Sequence, residues 1–529
     1  MNNPKILILY PNIPLMMTPS IAVGLFTSIC KKEYCDVELF ETTGYFDTSS
    51  KDQPHLVRSN NGSTRSFSWE DLGIDIKKEE DMIPDFIYKV ESYKPDLILV
   101  TVVEDSFLQA VKLLNSIKSL NIPNIVGGVF PTSQPDLCIS YDCISMVGIH
   151  EGERTLKELI FRIKNKENFE NIKGTWIKLP DGSIQKNLPQ PLVNICDITP
   201  DFKLFNENRF YRPYGGKIFK AIPIETYRGC PYHCTYCNSP KTRDFGKSFG
   251  LDNFLRKKPI DKLKDELLLY KELYNPNFIT FMDDSFLARP KSEIFAFCEM
   301  YEKHCGLPFW MNTRIENCKP DILKAIKQAG CYRMQFGLES GNEDYRKNVL
   351  KRSVPNKVYY EFFDYINDSD IAYVLNVIIG MPFETRELVF DTINMVKKSA
   401  GYDGVSLSTF IPYSGTDLKK VCIENNFIDK NFINDDPKGL ISFSSLNMPE
   451  PYLQKEEIDS LVKTFNLYCY FPETEWENIK KAETDESVRE YYYKIYNKNF
   501  FFSTTQLGGK TRIEGSLACR TDEASQWII

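Results

Sequence analysis

Histidine is scarce, with four residues in 529, and no Ser/His/Asp constellation stands out among them, which leaves little for nucleophilic or general-base catalysis. Long apolar runs are lacking too: the longest, such as Leu97 to Val103, fall far short of the roughly 18 residues that span a bilayer. The start, MNNPKILILYPNIP, has no basic segment, and its apolar run of about six residues is too short for a signal peptide. Neither sign of charge dominates. Lys plus Arg number 65 against 72 Asp plus Glu, a net charge of −7, which argues against broad binding to nucleic acid or anionic lipid. The fifteen cysteines are odd in number and lack the regular spacing of a disulfide framework, so a reducing cytoplasm is the expected location.

What is present is a globular balance, 42% hydrophobic, 26% charged and 13% aromatic, on a chain long enough for two to four domains at roughly 150 residues each. From Lys5 to about Lys166, short β-branched apolar runs alternate with amphipathic stretches. This pattern predicts strands at Lys5 to Tyr10, Asp36 to Phe40, Asp96 to Val103, Asn124 to Gly128 and Cys143 to Gly148. Helices are expected at Ile21 to Lys32, Ser106 to Leu120 and Gly152 to Lys164. A doubly wound, Rossmann-like parallel sheet over residues 1–170 is the expected fold, with its ligand crevice at the carboxyl ends of the strands. Asp47 to Glu80, polar and aperiodic, reads as a surface insertion. Residues 171–215 read as a hairpin turning at Pro180, Asp181 and Gly182, followed by a linker.

A second series, over 216–416, repeats strand and helix six times. Strands are expected near Ala221 to Thr226, Phe278 to Met282, Phe309 to Asn312, Tyr332 to Leu338, Tyr373 to Ile379 and Gly404 to Phe410, which fits a partial (β/α)6 barrel. Residues 417–529 read as mostly helical, expected to close the open side of the barrel, with aromatic clusters such as Tyr491, Tyr492 and Tyr493.

The sharpest signal is YRGCPYHCTYCN, in which Cys230, Cys234 and Cys237 follow a predicted strand with C-x3-C-x2-C spacing. Thiolates are natural ligands of iron–sulfur clusters, and three cysteines leave one iron of a four-iron cubane open to substrate or cofactor. A zinc site built on Cys234 and Cys237 with Cys230 or His233 is the bland alternative, but no second ligand pair lies nearby in the sequence. The other twelve cysteines read as small buried apolar residues.

These residues, with Tyr236 directly before the last cysteine, resemble the radical S-adenosylmethionine (SAM) enzymes. The resemblance implies a 4Fe-4S cluster held by Cys230, Cys234 and Cys237, whose free iron chelates SAM, and one-electron cleavage to methionine and a 5′-deoxyadenosyl radical. It runs on through FMDDSF, where Asp283 or Asp284 is expected to meet an ammonium or ribose hydroxyl, and WMNTR, where Asn312 and Arg314 are expected to face the SAM carboxylate. In FGLESG, Glu339 is the expected ribose or amino-group contact. Gly380 and Pro382 of NVIIGMPFET are expected beside adenine, and Pro412 of FIPYSGT on the floor of the site.

The preceding sheet resembles the cobalamin-binding domain at the start of one radical SAM subgroup. The matching segments are PSIAVGL, KPDLILVT, VGGVFP and HEGERTL, and they make Ser20, Thr101, Gly127, Gly128 and Gly152 the candidate cobalamin contacts. The pattern D-x-H-x-x-G is absent, and His150 reads as a cap of the helix beginning near Glu151 rather than a cobalt ligand. The resemblance implies a cobalamin-dependent methyltransferase acting on an unactivated carbon of a small molecule or peptide, with an external flavodoxin- or ferredoxin-type reductant and neither membrane nor nucleic acid as partner. The alternatives are a cobalamin-dependent cyclase or rearrangement enzyme, a methylthiotransferase, or a non-catalytic iron–sulfur or zinc protein.

Overall fold

A computed structural model describes residues 3–14, 16–47, 54–63, 73, 75–434 and 444–501. The first sheet takes its strands from β1 (Lys5–Tyr10), β2 (Asp36–Glu41), β3 (Leu97–Thr101), β4 (Asn124–Gly127) and β5 (Met146–Gly148), and closes on an antiparallel hairpin, β6 (Thr175–Lys178) and β7 (Ile184–Lys186). Its spatial order is β2-β1-β3-β4-β5-β6-β7, with β1 to β5 parallel. The order reverses between β1 and β3, which opens a crevice at their carboxyl ends. β1 and β3 are buried on both faces, as their unbroken Ile, Leu and Val runs require. The expected hairpin turns at Gly182 with φ +84°, and it extends the sheet rather than following it. The expected strand from Cys143 is only three residues long, because the segment from Tyr141 first makes a turn that returns Ile144 N–H to the Tyr141 carbonyl.

The second sheet has β8 (Tyr211–Tyr214), β9 (Lys217–Ile224), β12 (Phe278–Phe281), β13 (Phe309–Thr313), β14 (Cys331–Glu339), β15 (Ala372–Ile379) and β16 (Gly404–Thr409). A two-stranded ribbon, β10 (Tyr227–Arg228) with β11 (Arg256–Lys257), stands beside it. β9 and β12 to β16 run parallel in chain order, and β8 pairs antiparallel on the outer side of β9. The expected linker thus ends in an edge strand. The helices Ile260–Tyr274, Lys291–His304, Pro320–Ala329, Asn356–Asn367 and Arg386–Ser399 connect the parallel strands, the arrangement of an open half-barrel.

The helix Lys455–Tyr470 is mostly buried from Leu461 onward and packs on β16 and on the helix Arg386–Ser399. The helices Trp476–Ala482 and Glu486–Tyr496 pack around it. Tyr492 and Tyr493 are buried in these contacts and Tyr491 is exposed. Of the segment read as a surface insertion, residues 48–53, 64–72 and 74 lie outside the described residues, and Asn61 and Gly62 meet these helices: Asn466 donates to the Asn61 carbonyl at 2.7 Å and the Tyr496 hydroxyl to the Gly62 carbonyl at 3.1 Å. Its polar composition hid this because the contacts fall on backbone carbonyls, which any side chain leaves available. Among the described residues, no helix is long and apolar enough to cross a membrane.

Candidate functional site

The three cysteines lie on the loop between β10 and the helix Ser239–Ser248, just beyond the carboxyl end of β9. Several contacts shape that loop. Gly229 has φ +95°, and a Cβ there would stand 2.8 Å from Phe254, so only glycine makes this approach. Thr235 is clasped on both sides, its N–H and hydroxyl donating to the carbonyls of Leu350 and Val349 at 3.3 and 2.7 Å, while its own carbonyl accepts from Leu418 N–H at 3.0 Å. A tight turn sends Cys237 N–H to the Cys234 carbonyl at 3.2 Å.

Donors already face two of the sulfurs: Ser239 N–H lies 3.4 Å from Cys237 Sγ, and Arg314 Nη1 lies 3.6 Å from Cys234 Sγ. Arg314 is stacked 3.7 Å over the Tyr232 ring and paired with Glu316 at 2.5 Å, so it is fixed beside the loop instead of forming a loose surface pair. Burial pushes the Cys230 and Cys237 thiols up to about 11 and about 12, so a metal cation is what would draw them into thiolate form. These three are half-buried, whereas ten of the eleven other described cysteines are fully buried, the pattern of ligands against core. Among the described residues no three His, Cys, Asp or Glu side chains gather as around a single metal ion. Thiolates that each bind a different iron of a cubane stand farther apart than that.

Asp283 does not present a free carboxylate. It accepts from Thr226 N–H at 2.7 Å, from Tyr227 N–H at 3.1 Å and from the Thr226 hydroxyl, and pairs with Arg289 at 2.5 Å. It therefore anchors the base of the cysteine loop, and a separation of 57 residues from Thr226 hid this from the sequence. The neighbouring Asp284 instead opens to a cavity, and among the described residues the Ser239 hydroxyl reaches it at 3.2 Å.

Glu339 closes β14 with φ +64°, a conformation that a non-glycine residue adopts only under tertiary constraint. The Tyr236 hydroxyl donates to its Oε1 at 3.1 Å and Arg352 approaches the same oxygen at 3.4 Å. Burial raises the Glu339 carboxyl while Arg352 opposes it. At the end of β15, Gly380 has φ +76°, and one oxygen of the buried Glu384 gathers the N–H groups of Gly380 and Met381 at 2.6 and 3.3 Å. The Pro382 carbonyl accepts from the Tyr345 hydroxyl at 2.8 Å. Asn312, one residue before the end of β13, is half-buried, its carbonyl accepting from Phe286 N–H at 2.8 Å. Pro412 is buried just before Tyr413 and Ser414.

Two adjoining cavities lie where the carboxyl ends of the two sheets meet. The smaller, about 340 Å³, is mostly apolar and is walled by Ile21, Leu25, Phe26, Ile125 and Leu159, with Thr101, Gly127, Gly128 and Gly152 around it. Gly127 faces Gly148 across β4 and β5 with no side chain between them, and a Cβ on Gly128, at φ +129°, would fall 2.1 Å from the Val102 carbonyl oxygen. Ser20 is not part of this wall, because its hydroxyl caps the helix Ile21–Lys32 by accepting from Val23 N–H at 3.4 Å.

The larger cavity, about 710 Å³, is lined by Tyr236, Cys237 and Asp284 from the barrel and by Gly128, Thr132 and His150 from the first sheet. Asn312, Arg314, Glu339, Gly380, Pro382 and Pro412 stand outside its lining. Gly128, His150, Glu151, Glu225 and Arg228 border both cavities. His150 does not cap the helix Glu153–Asn165. It has φ +68° and its ring stacks near Phe245 at 6.1 Å, while its backbone N–H donates to Thr132.

Sequence reasoning missed the charged seam between the sheets. Arg228 meets Glu151 at 3.2 Å, Glu153 at 2.7 Å and Glu225 at 2.9 Å, and Arg256 joins Glu151 and the Val193 carbonyl. Burial opposes ionisation of Glu151, but Arg256 and Arg228 outweigh it and hold the carboxyl at about 2. The available signal was an arginine two residues before the first cysteine and the carboxylates of HEGE at a strand end. A second bridge carries Glu104 and Asp105, at the start of the helix Glu104–Ser116, onto the end of β16. Glu104 accepts from Ser414 N–H at 2.6 Å and Asn434 N–H at 3.1 Å and pairs with Lys419 at 3.5 Å, while Asp105 accepts from the Tyr413 hydroxyl at 3.1 Å.

Known protein families resemble two stretches of the chain. Residues 224–396 match the radical SAM superfamily and residues 63–160 match the B12 binding domain. An uncharacterized methyltransferase of Pyrococcus horikoshii is 26% identical over 366 residues, covering 67% of this chain and 75% of the relative. The fold is shared with the cobalamin-dependent S-adenosylmethionine radical enzyme OxsB, at a TM-score of 0.61 and 15% identity over 98% of this chain and 74% of that one. It is shared also with the radical S-adenosylmethionine methyltransferase TsrM of Kitasatospora setae, at 0.56 and 16% over 80% and 76%. With a half-barrel that carries three cysteines at its mouth, preceded by a sheet of the B12-binding kind, the chain holds a radical SAM domain over residues 224–396 and a B12 binding domain over residues 63–160.

Proposed function

We propose that this protein is a cobalamin-dependent radical SAM methyltransferase that methylates an unactivated carbon of a small molecule or peptide. The observation that carries the reading is one cavity lined at once by Cys237 of the cysteine loop and by Gly128, Thr132 and His150 at the strand ends of the first sheet. Bound there, a 4Fe-4S cluster would supply the electron that splits SAM into methionine and a 5′-deoxyadenosyl radical, and cobalamin would supply the methyl group.

The residues present fit both groups. Cys230, Cys234 and Cys237 would hold three irons, with Ser239 N–H and Arg314 donating to the sulfurs, as such ligands require for tuning. Asp284 would accept from the SAM ammonium. Tyr236 and Arg352 both meet Glu339 at Oε1, which leaves Oε2 for a ribose hydroxyl, and the Gly380 turn would offer backbone to adenine. On the other side, the lack of side chains at Gly127 and Gly148 would let a flat ring system come close to the strand ends. The apolar smaller cavity beneath would take the nucleotide base of cobalamin. Thr101 and Gly152 stand at that wall. The seams at Arg228 and Glu104 hold the two faces together and keep bulk water from the space between them. An external flavodoxin- or ferredoxin-type protein is the electron donor in this reading. Similarity to methyltransferases supports methyl transfer over cyclisation or rearrangement.

The test is anaerobic reconstitution with iron, sulfide and hydroxocobalamin. About four irons per chain, a change in the reduced-cluster EPR spectrum on adding SAM, a visible spectrum of bound cobalamin, deuterium transfer into 5′-deoxyadenosine and a product heavier by one methylene unit are expected. Zinc in the cysteine loop would overturn the radical SAM reading, and turnover without a mass gain would overturn methylation.

A further inference from the structure

The larger cavity has an unequal charge lining. Among the described residues that line it, Arg228 is the single cation, and Glu225, Glu151 and Glu153 hold it from three sides. Glu104 is answered by Lys419 from behind the wall. Among the described residues, two lining carboxylates have no basic partner: Asp284 from the barrel, reached by the Ser239 hydroxyl, and Asp105 from the first sheet, reached by the Tyr413 hydroxyl and the Asn434 amide. Neutral donors of this kind satisfy lone pairs but leave the negative charge uncompensated. Burial raises the Asp105 carboxyl above the ordinary aspartate range, which is the response of an acid that lacks a counter-charge, while Asp284 is exposed at the cavity surface.

One of these two charges is accounted for by the ammonium of SAM at Asp284. The other stands on the opposite module, away from the cysteine loop. We infer that the substrate enters this cavity with a positive charge, a protonated amine, which Asp105 receives, and that phosphonates and carboxylates are rejected. The inference rests on reading the cavity as the reaction chamber. A cation paired with a desolvated carboxylate is favoured, whereas an anion here would meet Asp105 and Asp284 with no free guanidinium or ammonium among the described lining residues to answer it. The apolar part of the wall, from Val103, Val129, Phe130, Phe254 and Met282, would cover the remainder of such a molecule.

Two probes that share a phenethyl group and carry opposite charge test this: 2-phenylethylamine and 3-phenylpropionate, titrated into the reconstituted, SAM-bound holoenzyme near neutral pH, with the thermal unfolding midpoint as readout. The amine should raise the midpoint at concentrations at least tenfold below those the carboxylate needs. Asp105→Asn keeps an acceptor for Tyr413 and should erase the difference with iron, sulfide and cobalamin content unchanged. Tyr413→Phe, which removes a neutral donor from Asp105 and leaves the charge, should preserve it. Equal response to both probes, preference for the carboxylate, no response to the amine, or an unchanged preference in Asp105→Asn would each overturn the inference. Failure of the functional reading itself would show differently, as a holoenzyme that retains no cluster or no cobalamin.

Discussion

Replacing Glu104 by alanine is expected to loosen the first sheet from the barrel. The Glu104 carboxylate, 4% exposed, accepts from two backbone N–H groups, Ser414 and Asn434, and neutralises Lys419, itself 6% exposed. Hydrogen bonds to a charged group contribute about 1.5–3 kcal/mol each, and removing one partner of a buried ion pair costs about 3–5 kcal/mol because the other charge stays behind. Lys419 retains the Ser414 hydroxyl and the Phe432 carbonyl at 2.7 Å each, which places the loss toward the lower part of that range. A loss of about 3 kcal/mol speeds amide exchange roughly a hundredfold. Hydrogen–deuterium exchange of peptides covering Tyr413 to Asn434 reads the change where the lost acceptor sat, without assuming that a chain of this size unfolds in one step. The same substitution in a Lys419→Met background should cost at least about 1 kcal/mol less, since no orphaned ammonium remains. Unchanged exchange in Glu104→Ala, or an identical cost in both backgrounds, would refute the reasoning.

Asp283→Asn should release the base of the cysteine loop and leave Arg289 with a weaker partner, lowering iron retention on desalting of the reconstituted protein while far-UV circular dichroism stays unchanged. Gly128→Ala places a methyl 2.1 Å from a backbone carbonyl at φ +129°, a conflict no side-chain rotation relieves. The expected cost is about 3 kcal/mol, with loss of cobalamin retention, read by thermal unfolding and by the visible spectrum. Burial raises the Glu384 carboxyl from 4.5 to about 8. Between those values the folded protein keeps a proton that the unfolded chain gives up, so the stability it contributes is complete below pH 4.5 and is lost as the pH rises through about 8, at up to ~1.4 kcal/mol per pH unit. Melting temperatures between pH 5 and pH 9 should show that decline, and Glu384→Gln, which still accepts from Gly380 and Met381, should flatten it.

Much of the architecture was legible from local pattern. Both strand series fell close to their expected places because two-residue and 3.6-residue periodicities are properties of neighbouring residues. The cysteine loop was legible for the same reason, since its spacing is contained in eight residues. The roles of the acidic residues were not. Asp283 and Asp284 are adjacent and chemically identical, and only the approach of Thr226, Tyr227 and Arg289 makes the first an anchor and leaves the second facing the cavity. Ser20 looked like a ligand contact and is a helix cap, because a hydroxyl at a strand–helix junction serves either purpose.

By itself the amino-acid sequence determined that the chain holds a doubly wound sheet, then a half-barrel with three cysteines at its mouth, because periodicity and spacing are written within short windows. Tertiary structure alone decided that these two parts share a cavity, that Glu104 reaches Ser414 across 310 residues, and that Asp105 and Asp284 are left without a basic partner among the described residues. Such pairings depend on which surfaces pack together, and no local window of the chain contains both partners.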